Sequence, residues 1–191
     1  CVEGGVVRGS RVAVVGRADG DQGEDEGIGL RSANRLSELL GDRGHVNVTS
    51  YNRQVLLTGE VPSAQDRQRV EQVVLGVENV RSVVNDLAVM PPTSLGQRSN
   101  DTFITGKVRA SLVDAKDLSA SAFKVVTERN VVYLMGRVTP REAQRATEIA
   151  RGVSGVSKVV RVFEMLTEDE LRNITPAPVV PDAPPASTPR N

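Results

Sequence analysis

The sequence predicts a mixed α/β protein of the α+β type. It is built as two tandem copies of one small unit of order αββαβ, each a small mixed sheet covered on one face by two helices. Three observations carry this. The stretch VLLTGEV, Val55 to Val61, returns 77 residues later as VYLMGRV, Val132 to Val138. The match continues downstream: GVENVRSVV from Gly76 is answered by GVSGVSKVV from Gly152. Around both copies the apolar spacing switches between a helical period and strand alternation in the same order. Two copies, each with enough apolar residues for its own core, mean two small domains rather than a solenoid.

The elements follow in order. Residues 1–27 are rich in Gly and hold the acidic run DGDQGEDEG, so they are expected to be a flexible tether. The first unit spans 28–90. LRSANRLSELL places Leu30, Ala33, Leu36, Leu39 and Leu40 on one helical face, and Gly41 and Gly44 end the helix. VNVTSY alternates, Asn52 and Arg53 turn, and QVLLTGEV returns as the hairpin partner. Pro62 and Ser63 open a second helix, and Val80 to Met90 form the last strand. After a linker at 91–99, the second unit spans 100–166. Its first helix is capped by Asn100 or Asp101. FKVVT and NVVYLMGRV form the hairpin, with Glu128 to Asn130 as the turn. Thr139, Pro140 and Glu142 open the last helix as a capping box. Residues 167–191 carry a Pro-rich, polyproline-like tail. Gly59 and Gly136 interrupt the repeated strand at one place, which marks a bulge or a close backbone approach. Gly76 and Gly152 are expected to stop the second helices in a left-handed conformation.

Composition narrows the function. Lys and Arg number 24 and so do Asp and Glu. A neutral balance without a basic stripe argues against nucleic acid as a partner. The single histidine, His45, has no neighbouring nucleophile and reads as a solvated or core-edge residue. No spacing of His, Cys or carboxylates suggests a metal site, and no motif calls for a cofactor. An enzyme is therefore not expected.

The only cysteine is Cys1. CVEGGVVRGS resembles the start of a mature bacterial lipoprotein, in which Cys1 carries a diacylglyceryl thioether and an acylated amine. Several acyl chains exceed what stable anchoring needs. By resemblance to the sorting rules of that class, Val2 implies the outer membrane.

The pattern V-x-L-x-G-x-V, a helix, then G-V-x-x-V resembles the BON domain family. SNDTFITGKVRASL, VYLMGRVTPREA and IARGVSGVSKVV are similar to the wording of dual BON-domain lipoproteins of the Gram-negative outer membrane. The resemblance covers 28–166. It implies a monomeric, non-enzymatic protein on the periplasmic face of that membrane. Such a protein binds anionic phospholipid through its second domain and helps maintain membrane integrity. It could also meet outer-membrane assembly or cell-wall remodelling proteins. A periplasmic chaperone or adaptor is the rival reading.

One helix carries the candidate site. In DTFITGKVRASLV, Ile104, Val108 and Leu112 form the stripe that faces the sheet. At about 100° per residue, Phe103 lies roughly 140° from that stripe. It shares its face with Gly106, Lys107 and Ala110. An outward aromatic beside a cation suits a membrane interface. It would equally suit packing under a loop or against the first domain. The family resemblance selects lipid, and the phospholipid-binding set is then Phe103, Ile104, Gly106, Lys107 and Ala110. Aligning Leu36 with Val108 sets Arg31 opposite Phe103.

Overall fold

The structure, a computed structural model, describes residues 12–14 and 22–170. Cys1 and residues 171–191 of the Pro-rich tail lie outside the described residues. In chain order the elements are β1 (Val12–Val14), α1 (Gln22–Leu40), β2 (His45–Tyr51), β3 (Gln54–Val61), α2 (Ala64–Leu75), β4 (Ser82–Asn85) and β5 (Ala88–Val89) in the first unit. The second has α3 (Leu95–Asp114), β6 (Lys124–Glu128), β7 (Val131–Val138), α4 (Pro140–Arg151) and β8 (Lys158–Met165).

In both units a hairpin forms the centre and a parallel strand closes one side. β2 and β3 are antiparallel, with β4 and β5 parallel to β3, and β1 adds a parallel strand outside β2. β6 and β7 are antiparallel, and β8 lies parallel to β7. Strand alternation sorts the side chains. Val46, Val48, Val55, Leu57 and Val61 face α1 and α2 and form one core with Ile28, Leu36, Val70 and Val74. Val125, Val132, Leu134 and Val138 form a matching core with Ile104, Val108, Leu112 and the small residues Ala143, Ala146 and Ala150 of α4.

The opposite faces of the two sheets pack on each other. Tyr51 and Leu56 of the first unit meet Val126, Tyr133, Met135 and Val162 of the second in a third apolar cluster. The molecule is thus four layers, helices outside and two sheets within. Polar bonds ring the cluster. Tyr133 donates to Asp86, the Lys124 ammonium to the Ser50 carbonyl, and Asn52 and Arg81 to Glu164 at 3.0 and 2.9 Å.

A buried aspartate repeats with the fold. Asp25, on α1, accepts from the amides of Asn52 and Arg53 at 2.7 and 2.9 Å. Asp101, on α3, accepts from those of Arg129 and Asn130 at 2.9 and 3.0 Å. All four turn residues have positive φ, between 48° and 63°. That is the two-residue hairpin turn whose twist matches the strands. Each aspartate ties its helix to its hairpin and satisfies amides that the turn leaves free.

The structure corrects several expectations. The segment read as a tether holds β1 and the first turn of α1. The Val-rich run at 12–14 pairs with β2, and Glu24 and Asp25 suit the positive end of a helix. Leu30 is exposed, because the buried stripe of α1 is Ile28, Ser32, Leu36 and Leu40. Matching Asp25 to Asp101 aligns Leu36 with Leu112, not Val108. Gly27 then stands opposite Phe103, and Arg31 opposite Lys107. Pro62 lies before α2 rather than in its first turn, and Ser63 caps the helix. α3 starts inside the expected linker, capped by Ser94, and Asp101 is used for the hairpin instead. Glu128 ends β6 rather than joining the turn. The expected last strand of the first unit breaks at Asp86 and Leu87, where Leu87 enters the core and Asp86 takes the Tyr133 hydroxyl. Past residue 166, Thr167 and Glu170 still exchange capping bonds.

Gly76 and Gly152 are right-handed, with φ of −81° and −76°. The left-handed residues come three later, at Asn79 and Gly155. A Cβ at Gly76 or Gly152 would meet nothing closer than 3.5 Å. Gly152→Ala is therefore expected to stabilise the protein by about 0.5 kcal/mol, because it restricts only the unfolded chain. Urea titration of the variant checks this, and a loss of stability would contradict it.

Candidate lipid-binding face of the second unit

α3 is built as two faces. Asp101, Ile104, Val108 and Leu112 are buried at helical spacing against the hairpin. On the other side Phe103 is 65% exposed and Val113 69%. Gly106 and Ala110 lie exposed between them. At about 100° per residue these four fall in one outward stripe. With that exposure Phe103 is not buried under a loop or against the first unit. Ile104 leaves the candidate set, since it is 1% exposed and belongs to the core. Val113 joins it. The sequence alone put Val113 on no face because the notional stripe ended one turn earlier.

Lys107 differs from expectation in what it touches. Its ammonium donates to the Ser154 carbonyl at 2.6 Å and the Ser154 hydroxyl at 2.9 Å, and sits 4.9 Å from the Phe103 ring centre. Arg31 makes the equivalent bond in the first unit, to the Glu78 carbonyl at 3.3 Å. Lys107 thus fastens α3 to the loop after α4 and supports Phe103 by a cation–π contact.

A second stripe of α3, Arg98, Thr102, Thr105 and Arg109, lines a cleft of about 350 Å³ whose far wall includes His45 and Asn47 of the first unit. Behind it lies a buried charged cluster. Glu60 is fully buried and accepts from the Arg129 guanidinium at 2.8 Å and the Thr93 amide at 2.7 Å. Arg129 also donates to the Gly59 carbonyl. Burial pushes the Glu60 carboxyl up, but His45 and the Thr93 amide outweigh it and hold it at about 2. The His45 Nδ1 lies 3.6 Å from the Glu60 carboxylate, longer than an ordinary hydrogen bond. Burial raises the pKa of Glu128, which accepts from Asn47 and Thr58.

His45, read from sequence as a solvated or core-edge residue, is thus buried at the interface between units. Ligand-capable atoms of His45, Glu60 and Glu128 lie within 4.8 Å of one another. The spacing in sequence gave no sign of this, because the domain packing assembles it. Arg129 already supplies the countercharge there, and Arg98 and Arg109 line the approach. The donor set therefore suits structural pairing of the carboxylates better than a cation.

Comparison with known proteins accords with the duplication. The BON domain profile matches residues 32–91 and again 100–167. The chain is 35% identical to the outer membrane lipoprotein DolP of Haemophilus influenzae over 167 residues, 86% of each chain. It is 34% identical to the 21 kDa hemolysin of Actinobacillus pleuropneumoniae, covering 77% of each. The osmotically-inducible protein Y of Escherichia coli is 32% identical over 60% of this chain and 58% of its own length. Two profile matches that fall on two copies of one hairpin-centred fold, each with its own buried aspartate, place the chain in the BON domain family.

Proposed function

We propose that the protein is a non-enzymatic, lipid-anchored component of the outer membrane. It faces the periplasm, binds anionic phospholipid through α3 of its second BON domain, and so contributes to membrane integrity. The observation that carries this is the outward stripe of α3. Phe103 and Val113 stand exposed at 65% and 69%, with only Gly106 and Ala110 between them. Small residues at the centre let the helix axis approach the headgroups, while the two larger side chains enter the acyl boundary. The first unit has Gly27, Asn34 and Ser37 where Phe103, Ala110 and Val113 stand, and on that face carries the single exposed Leu30 opposite Gly106. An anchor at Cys1 accords with the likeness to an outer membrane lipoprotein. It would hold α3 close to lipid, raising the local concentration for a weak contact.

Flotation of a Cys1→Ser protein with anionic vesicles tests the reading, because only domain-mediated binding remains. This protein is expected to float. Phe103→Glu in the same background is expected to stay with the soluble fraction, while its circular dichroism and melting temperature match the parent. An acid at that place removes the wedge and meets a negative surface. A folded Phe103→Glu protein that floats as well as the parent would overturn the proposal.

A further inference from the structure

We infer that the cleft between α3 and the first domain is a phosphate-binding site, held by Arg98 and Arg109, which takes the headgroup of a lipid whose chains lie along the Phe103 stripe. The inference rests on the proposed lipid reading of α3 and adds to it the place and chemistry of the polar half. Arg98, Thr102, Thr105 and Arg109 follow one another at spacings of four, three and four along α3. They line the cleft beside the apolar stripe. A lipid has the same division, with the phosphate adjoining the acyl chains.

The balance of donors identifies the ligand as an anion. Among the described residues, neither Arg98 nor Arg109 forms an ion pair, nor does either side chain donate a hydrogen bond within the protein. The acids that share the cleft are already engaged. Asp101 holds the Arg129 and Asn130 amides, and Glu128 accepts from Asn47 and Thr58. One donor at the cleft, Arg98 Nε, is buried without a hydrogen-bond partner. Burying a donor without an acceptor is costly, and a guanidinium is matched in shape to phosphate oxygens. Lys107, the cation nearest Phe103, is occupied by Ser154. The arginines are therefore the groups left to meet phosphate.

The same phosphate chemistry could come from a soluble ester, and the test separates the two sources. In the full-length Cys1→Ser protein, the Nε–Hε resonances of Arg98 and Arg109 are followed by NMR during titration with glycerol phosphate and with micelles of an anionic phospholipid. Saturable shifts in both titrations support a phosphate site that either source can fill. Shifts with micelles alone support a lipid headgroup site. Shifts with neither overturn the inference. In parallel, Arg98→Gln and Arg109→Gln are each expected to weaken binding to anionic vesicles about fivefold, about 1 kcal/mol per cation at such a surface. Arg→Lys at each place is expected to weaken it less. If both Gln variants bind vesicles as the parent does while Phe103→Glu does not, the cleft assignment fails and the lipid reading stands. If the parent itself does not bind vesicles, the lipid reading fails, and glycerol phosphate alone decides whether the cleft binds phosphate.

Discussion

Gly59→Ala should lower the stability of the whole chain by about 3 kcal/mol or more, at the large end for a single substitution. Gly59 has φ of +117°, a region that L side chains rarely enter. A Cβ there would lie 2.0 Å from the His45 carbonyl oxygen on the paired strand. Neither problem is relieved by moving a side chain, since the obstacle is backbone in the centre of the hairpin. Residues on both sides of Gly59 face the second domain, as Glu60 binds Arg129 and Thr58 binds Glu128. A shift of β3 would therefore disturb the interface as well as the first core. One urea transition, moved as a whole, is expected by both circular dichroism and a probe in the second domain. Two transitions with only one displaced would mean that the sheets touch without sharing stability. Gly136→Ala meets the Ala122 carbonyl at 2.3 Å. That carbonyl lies in a short turn ahead of β6, which is freer to yield, so a smaller loss is expected.

Arg129→Ala should cost about 3 kcal/mol at neutral pH, because removing one partner strands a buried charge. Glu60 is completely buried, and Arg129 is the cation bonded to it from the other domain. The loss has a defined pH dependence. In the parent, the folded carboxyl is held at about 2, below its usual value of 4.5. Its contribution is thus present above about pH 4.5 and disappears as pH falls towards 2. Without Arg129 the buried carboxylate is less well compensated and takes up a proton more readily. The gap between parent and variant is therefore expected to be widest at neutral pH and to narrow below about pH 4.5. Adding Glu60→Gln should recover part of the loss. Urea titrations of the parent and both variants at pH 7 and pH 4 check these outcomes. A gap that is unchanged by pH, or a variant as stable as the parent, would show that the pair is not what holds the cluster.

The duplicated hairpin was legible because local rules specify it. Strand alternation around VLLTGEV and VYLMGRV, and the Thr139–Pro140–Glu142 start of α4, act through neighbours in sequence. The phase of α3 was legible for the same reason, since Ile104, Val108 and Leu112 repeat at helical spacing. The start of the first domain was not. Gly-rich composition hid α1's first turns, whose role depends on Asp25 reaching the hairpin turn at Asn52 and Arg53. Misplacing that aspartate shifted the alignment of the two units by one helical turn, which set Arg31 against Phe103. Nor could the sequence show what lies between the sheets. Thr58 and Glu60 interrupt an apolar strand and Glu128 was expected in a turn, yet all three are buried where the two domains meet. The Ser154 contact of Lys107 and the surroundings of Arg98 and His45 likewise depend on packing between distant segments.

The outward stripe of α3 is expected to enter the bilayer, and a depth measurement reads this. A nitroxide placed by Ala110→Cys or Val113→Cys, in a full-length Cys1→Ser protein with no other thiol, reports its surroundings. A third label at the exposed Leu75, on α2, serves as reference. With anionic vesicles present, labels at 110 and 113 are expected to gain collisions with oxygen and lose them with a water-soluble nickel complex. The label at 75 is expected to stay aqueous. Labels at 110 and 113 that remain as open to the nickel complex as the one at 75, on vesicle-bound protein, would contradict insertion of α3.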